Sequence, residues 1–143
     1  MSQNINDNLP LLIEDLHVES DASSPNYFCR NFKVFPEGKE KNGGFLFGLI
    51  EIKATPESES NKIFQAVLNT LKDSYYQQIV TSPAPHKLNL ETIFEFALNK
   101  TNQRVTELIE IGQINLLKEN LNFCIGLAKP HDKFTDIYFT NQG

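Results

Sequence analysis

The order of the predicted elements places this chain of 143 residues in the α+β class. Short strand-like segments come first, two long segments with helical periodicity follow, and two further strand-like segments come last. A doubly wound parallel sheet would alternate each strand with a helix, and that alternation is missing. The sequence therefore predicts a layered α+β domain in which an antiparallel pair of long helices packs on a sheet.

The first part of the chain is rich in the residues of loops. Residues 1–26 carry clusters of Asn, Asp, Ser and Pro, and they are interpreted as a loop-rich N-terminal segment. Within it, Leu11–Val18 is a possible strand, although two acidic residues interrupt it. Residues 27–143 are interpreted as the domain itself, and its first strand is predicted at Tyr27–Phe35 from a mixed alternation of apolar and polar residues.

The most strand-like segment is Phe45–Lys53, which is apolar on both faces except at Gly48 and Glu51. A run that is apolar on both faces is typical of a strand in the middle of a sheet that is covered on both sides. The preceding stretch, Pro36–Gly44, contains Glu-Gly, three Lys and Asn-Gly-Gly, and it predicts a solvated connection between two strands.

Two amphipathic helices are predicted next. The first starts around Thr55, with the Thr hydroxyl accepting from free backbone N–H groups and Pro56 at the first helical position. It ends at the prolines of Ser82–His86. The second begins near Asn89, and a short connection of this kind favours an antiparallel pair. The apolar positions that define the first helix recur every four residues: Ile63, Val67, Leu71, Tyr75 and Ile79.

The last part of the chain is predicted to be a β-hairpin. Leu121–Ala128 and Phe134–Thr140 have strand character, and the Lys-Pro-His-Asp-Lys sequence between them has the chemistry of a turn. Between the helices and this hairpin, Ile114–Lys118 is compatible either with an extension of the second helix or with a loop. The second strand of the hairpin runs into a turn with no strand after it, so we expect the chain to be a truncated domain.

Composition excludes several classes of function. The formal net charge of -5 provides no general attraction to nucleic acid or to anionic lipid. The first residues lack the basic and apolar regions of a signal peptide, and the longest apolar runs fall short of the about 20 residues that cross a bilayer. We therefore expect a cytoplasmic protein without a membrane segment. Cys29 and Cys124 have no Cys or His neighbours at zinc-binding spacing, which predicts buried free thiols.

Common catalytic motifs are missing. The glycines are isolated or precede a strand, so the sequence contains no phosphate-binding loop, dinucleotide fingerprint or nucleophile elbow. His17, His86 and His131 lie in or beside predicted turns and are interpreted as surface histidines. Neither cysteine has a local catalytic signature.

Glu51 is the one ionisable residue that stands out. It interrupts an apolar strand near its end, and a buried carboxylate is costly unless it is paired, protonated or bound to a metal. It is therefore a weak candidate for a metal ligand. The alternative is that the strand leaves the core at Glu51, so that the carboxylate is solvated.

Several segments together resemble the metal-dependent serine/threonine phosphatases of the protein phosphatase 2C type. The similar segments are the apolar strand 46–52, a second long helix carrying Phe94–Asn102, and the final hairpin, in which 123–127 and 137–143 look like consecutive strands of that family. The resemblance covers about residues 44–143. It implies a β-sandwich flanked by helix pairs, with two divalent metal ions between the sheets that activate water for attack on phosphoserine.

The departures from the family's pattern fall on its chemistry. The family's metal-bridging Asp corresponds to Glu51, and the Gly that follows it corresponds to Ile52. The upstream Arg and Asn-Glu-Asp pattern of the family has no counterpart, since Arg30–Lys33 lacks the acids. The chain also stops before the positions of the remaining metal-binding Asp residues. We therefore expect no catalytic residue and no bound cofactor here, with Mn²⁺ or Mg²⁺ as the cofactor of an active form.

Three hypotheses follow from the sequence. The first is a divergent, catalytically inactive phosphatase 2C-like domain that acts as a regulatory or binding module with a protein partner. The second is the N-terminal part of an active metal-dependent phosphatase. The third is an unrelated α+β interaction domain that has the same order of strands and helices.

Overall fold

The computed structural model describes residues 26–34, 40–82 and 87–142. The possible strand Leu11–Val18 and the histidines His17 and His86 lie outside these ranges. The elements in chain order are β1 (Tyr27–Val34), α1 (Glu40–Gly43), β2 (Phe45–Lys53), α2 (Glu57–Thr81), α3 (Leu90–Glu110), a 3₁₀ turn (Lys118–Asn120), β3 (Leu121–Pro130) and β4 (Thr135–Gln142). The α+β class predicted from the sequence is confirmed.

The four strands form one antiparallel sheet in the order β1-β2-β3-β4. The α2 and α3 helices are inserted between β2 and β3, which are nevertheless neighbours in the sheet. The strand predicted at Phe45–Lys53 has the same bounds in the structure and lies between β1 and β3. The predicted C-terminal hairpin is also confirmed, with Pro130 opposite Thr135 at its turn.

Both long helices pack on the same face of the sheet. Alternate residues of β2, among them Ile50 and Ile52, are fully buried there against α2 and α3. The helices contribute the apolar positions that their periodicity predicted, including Val67, Leu71 and Ala97, none of which is exposed. This layer of sheet and helices forms the hydrophobic core.

The opposite face of the sheet is called the open face here. Its side chains come from the other set of alternate residues: Tyr27, Cys29, Leu49, Glu51, Asn122, Cys124, Ile137 and Phe139. The sequence predicted that β2 is covered on both sides, and this was wrong along part of the strand. Phe45 is 1% exposed, but Leu49 on the same face is 41% exposed. The open face is therefore covered at the Phe45 end of β2 and exposed at Leu49.

The two long helices begin differently. The α3 helix begins near Asn89 as predicted, and the structure shows that Asn89 is its cap, with its side chain accepting a hydrogen bond from the backbone N–H of Thr92 at 3.1 Å. The predicted cap of α2 was wrong. Pro56 is itself the residue that precedes α2, and the Thr55 hydroxyl donates to the carbonyl of Lys53 at 2.9 Å instead of accepting from the helix.

The solvated turn was predicted at Pro36–Gly44, of which residues 36–39 lie outside the described ranges, and the structure of residues 40–44 differs from the prediction. Residues Glu40–Gly43 form the short helix α1, and Gly43 and Gly44 are buried. The reason lies in α2, whose Tyr75 and Tyr76 hydroxyls donate to the carbonyls of Gly43 and Gly44 at 2.5 and 3.1 Å. The backbone just before β2 is therefore hydrogen-bonded to α2.

The segment after α3 is a loop rather than an extension of the helix. Gly112, at φ +73°, follows the last turn, and the N–H groups of Gly112 and Gln113 bond back to the carbonyls of Ile109 and Leu108. This is the Schellman arrangement, in which a left-handed residue ends the helix. Ile114 and Leu116 then bury their side chains in the core, 6% exposed each.

Candidate functional site

The register of the sheet surrounds the carboxylate of Glu51 with polar groups on the open face. Glu51 lies between Cys29 of β1 and Asn122 of β3. The Tyr27 hydroxyl donates to Glu51 Oε1 at 2.9 Å, and Asn122 Nδ2 donates to Oε2 at 3.2 Å. The ammonium of Lys53 lies 3.6 Å from Oε1. Each carboxylate oxygen therefore has a partner within the protein.

These partners keep Glu51 ionised. Its partial burial alone would raise its pKa, but the hydrogen bonds from Tyr27 and Asn122 and the charge of Lys53 outweigh burial and hold the pKa below its usual value. The same hydrogen bond, together with burial, raises the pKa of Tyr27 to about 12. The pair is thus a neutral phenol that donates to a carboxylate.

The donors around Glu51 do not suit the pair of divalent metals that the resemblance implies. Such ions bind several carboxylate or carbonyl oxygens, whereas the groups on Glu51 are a phenol, an amide and an ammonium that would repel a cation. Within the described ranges, no three His, Cys, Asp or Glu side chains cluster in a way that could hold a metal ion. The weak assignment of Glu51 as a metal ligand stays a prediction from the sequence.

The two cysteines also lie on the open face. The predicted free thiols are confirmed, but both are half-buried rather than buried. Cys29 is opposite Glu51, whereas Cys124 is opposite Leu49 in the next row of the same face. Burial is the main cause that raises the pKa of Cys29, which makes it a weak nucleophile.

The open face also carries exposed apolar side chains, of which Leu49 is in the row next to Glu51 and those of β4 are farther along the sheet. Leu49, Ile137 and Phe139 are 41%, 57% and 62% exposed. Phe139 belongs to the same row of the sheet as Phe47 and Gly126, and the Phe47 ring lies where a side chain at position 126 would be. This face therefore combines apolar side chains with one hydrogen-bonded carboxylate.

A second feature is a cleft of about 700 Å³ at the N-terminal end of α3. Its walls include Lys87 and Glu91 near the start of α3 and His131, Asp136 and Tyr138 of the β3–β4 hairpin. His131 Nε2 lies 2.9 Å from Asp136 Oδ2. The lining mixes cationic and anionic groups, so it has no dominant charge that would select one ion.

His131 was interpreted from the sequence as a surface histidine, and the structure shows it half-buried. Its ring stacks on Phe134 with the ring centroids 4.4 Å apart, in addition to its contact with Asp136. The five-residue separation of His131 and Asp136 across a turn is a local signal that could have indicated this pair. Tyr27 and Asn122 have no such signal, because only the strand register brings them to Glu51.

Comparison of this chain with models of known protein families, with curated proteins and with solved structures gave no match. In the described part of the chain, none of the helices has the length and apolar character needed to cross a membrane.

Proposed function

We propose that this chain is a phosphatase 2C-like domain without phosphatase chemistry, and that it acts as a binding module for a protein that covers its open face. The observation that carries the proposal is the exposure of Leu49, Ile137 and Phe139 together on that face. Contiguous exposed apolar side chains bordered by polar ones are typical of protein–protein interaction sites. Here the polar border includes Glu51 and Asn122.

The topology is compatible with one layer of the sandwich that the resemblance implies. A helix pair inserted between two neighbouring strands covers one face, and the hairpin that follows adds the last strand. In a β-sandwich the other face of each sheet packs on a second sheet. The apolar residues of the open face would suit such a layer, so we propose a folded partner that presents an apolar strand surface.

The surroundings of Glu51 support a binding role over a catalytic one. Both carboxylate oxygens already accept hydrogen bonds, from Tyr27 and Asn122. The Ile at position 52, where the resembling family has Gly, is fully buried under the helices. A fully buried Ile52 side chain is part of the core, which assigns this stretch to packing.

The binding role is tested with a partner protein that is captured by the wild-type chain and then purified. Calorimetry measures its affinity for the wild type, Leu49→Lys and Val80→Lys. Leu49→Lys places a charge in the centre of the open face and should weaken binding about tenfold or more. Val80→Lys is the matched control, because Val80 is 61% exposed on α2. A partner that binds Leu49→Lys as tightly as the wild type would contradict the proposed surface.

The absence of catalysis is tested with a phosphoserine peptide in the presence of Mn²⁺ or Mg²⁺. We expect no turnover by the wild type. Metal-dependent turnover that is lost in Glu51→Ala would instead identify an active phosphatase. The Glu95→Ala variant serves as a control, because Glu95 is an exposed residue of α3, far from Glu51 in sequence.

A further inference from the structure

We infer that two copies of this chain associate through the outer edge of β4 and join their sheets into one continuous antiparallel sheet. The strand order places β4 at an edge, with β3 on its inner side. In the described ranges no strand pairs with its outer side. An edge strand presents unpaired backbone N–H and C=O groups, which readily pair with another strand.

Few of the residues that proteins use to protect a sheet edge occur in β4. Thr135–Gln142 contains no proline and no lysine, and its one charged residue, Asp136, is already paired with His131. Two of its apolar side chains, Ile137 and Phe139, are more than half exposed. The strand at the opposite edge, β1, is different because it carries Arg30 and Lys33. Of the two edges, β4 is therefore the one open to pairing.

The sequence of β4 is complementary to itself in antiparallel pairing. In an antiparallel edge strand, every second residue directs its backbone N–H and C=O groups outward, and only these residues can bond to a second strand. Symmetric pairing of two copies must therefore be centred on a residue rather than between two residues. Centring on Tyr138 places Ile137 opposite Phe139 of the second copy, and Phe139 opposite its Ile137. Asp136 then lies opposite Thr140, so no like charges meet.

The neighbouring registers are less favourable. Centring on Phe139 would place Ile137 opposite Asn141, and centring on Ile137 would place Phe139 opposite Thr135. Each of these leaves an exposed apolar side chain against a polar one, whereas the Tyr138 register forms two aromatic–β-branched pairs, the kind that stabilise sheets. The self-complementary pattern identifies a second copy, rather than an unrelated strand, as the occupant of this edge.

This association uses the edge of the sheet, whereas the proposed binding function uses the open face, and Ile137 and Phe139 contribute to both. Leu49 contributes to the open face alone, so a change at Leu49 separates the two. The test is the dimer dissociation constant from sedimentation equilibrium. Phe139→Lys should weaken the wild-type dimer about tenfold. The double variant Ile137→Glu/Phe139→Lys should restore it, because in the Tyr138 register each Glu faces a Lys of the second copy. Leu49→Lys, on the same face but in the central strand, should leave the dimer intact.

Amide hydrogen exchange of the wild type provides a second measurement that needs no variant. Protection of the β4 amides should increase with protein concentration, while that of the β1 amides should not. The inference is overturned if the protein stays monomeric at every concentration, or if Leu49→Lys dissociates the dimer as strongly as Phe139→Lys, which would show pairing through the open face. If the double variant does not restore the dimer, the proposed pairing centred on Tyr138 is wrong.

Discussion

The hydroxyl of Tyr27 lies 2.9 Å from Glu51 Oε1 and joins the edge strand β1 to the central strand β2 on the open face. The two residues are 24 positions apart in the chain. The hydrogen bond stabilises the ionised carboxylate and the neutral phenol together, and it therefore makes stability depend on pH at both ends of the range.

Replacement of Tyr27 by Phe should raise the pKa of Glu51. In the wild type this pKa is lowered, so Glu51 contributes stability that is present above its unfolded pKa of about 4.3 and is lost as the pH falls through the folded value. The variant should lose less stability between neutral and acid pH than the wild type. Urea unfolding at several pH values and the carboxyl carbon shift of Glu51 would measure this. An identical acid dependence in both proteins would contradict it.

At alkaline pH the sign is reversed. The pKa of Tyr27 is raised to about 12, so its contribution is fully present below the unfolded value of about 10 and is lost as the pH rises through the folded value. Burial also raises the pKa values of Tyr75 and Tyr138, so several phenols should titrate late in the wild type. Tyrosine absorbance should show that the late-titrating part of the signal is smaller in Tyr27→Phe. Glu51→Gln should lower the pKa of Tyr27. A Tyr27 that titrates at about 10 in the wild type would rule out the hydrogen bond in solution.

The Tyr75 hydroxyl donates to the carbonyl of Gly43 in a buried position. Tyr75→Phe leaves that carbonyl without its partner, which should reduce the free energy of unfolding by about 1 to 3 kcal/mol. Thr81→Val is a matched control, because it removes an exposed hydroxyl bonded to the carbonyl of Gln77, and it should change stability by less than about 0.5 kcal/mol. Chemical denaturation measures the free energy of unfolding of both variants. Equal losses would show that the buried hydrogen bond stabilises the protein no more than the exposed one.

Two glycines of the sheet should differ in their tolerance of alanine. At Gly48 the atom nearest to an added methyl group is the backbone carbonyl oxygen of Cys124, and at Gly126 the nearest atoms belong to the ring of Phe47. A half-buried ring can rotate away, but a paired backbone carbonyl cannot. We expect Gly48→Ala to cost about 3 kcal/mol and Gly126→Ala about 1 kcal/mol in thermal or urea unfolding. The reverse order would mean that the Phe47 ring is held in place.

The cap of α3 provides a further prediction. Asn89→Ala removes the hydrogen bond to the N–H of Thr92 and should lower stability by about 1 kcal/mol, whereas Asn89→Asp should retain it. Circular dichroism during urea unfolding would compare the two. No loss in Asn89→Ala would mean that water replaces the cap at no cost.

Local patterns in the sequence predicted the elements well because each element is specified within its own residues. The bounds of β2, the start of α3 at Asn89, and the end of α2 before the prolines follow from alternation, capping and backbone restriction. The start of α2 was predicted within two residues, but the role of the Thr55 hydroxyl was wrong. In the structure the Thr55 hydroxyl bonds backward to Lys53 instead of forward to the helix.

The candidate site could be predicted only in part. Glu51 was identified because a carboxylate in an apolar strand is unusual, but its partners Tyr27 and Asn122 come from two other strands. Strand register depends on how the whole sheet packs, and a shift of one residue would move all of these side chains to the opposite face. The sequence of β2 therefore identified the carboxylate but did not predict its hydrogen-bond partners.

The sequence by itself determined the α+β class, the order of the elements and the apolar stripes of the two helices, because these depend on periodicity within short segments. Only the tertiary structure decided which face of the sheet the helices cover, why Leu49 is exposed while Phe45 is buried, and which strand lies at each edge. Those properties depend on contacts between residues far apart in the chain, and the residues themselves contain no local signal of them.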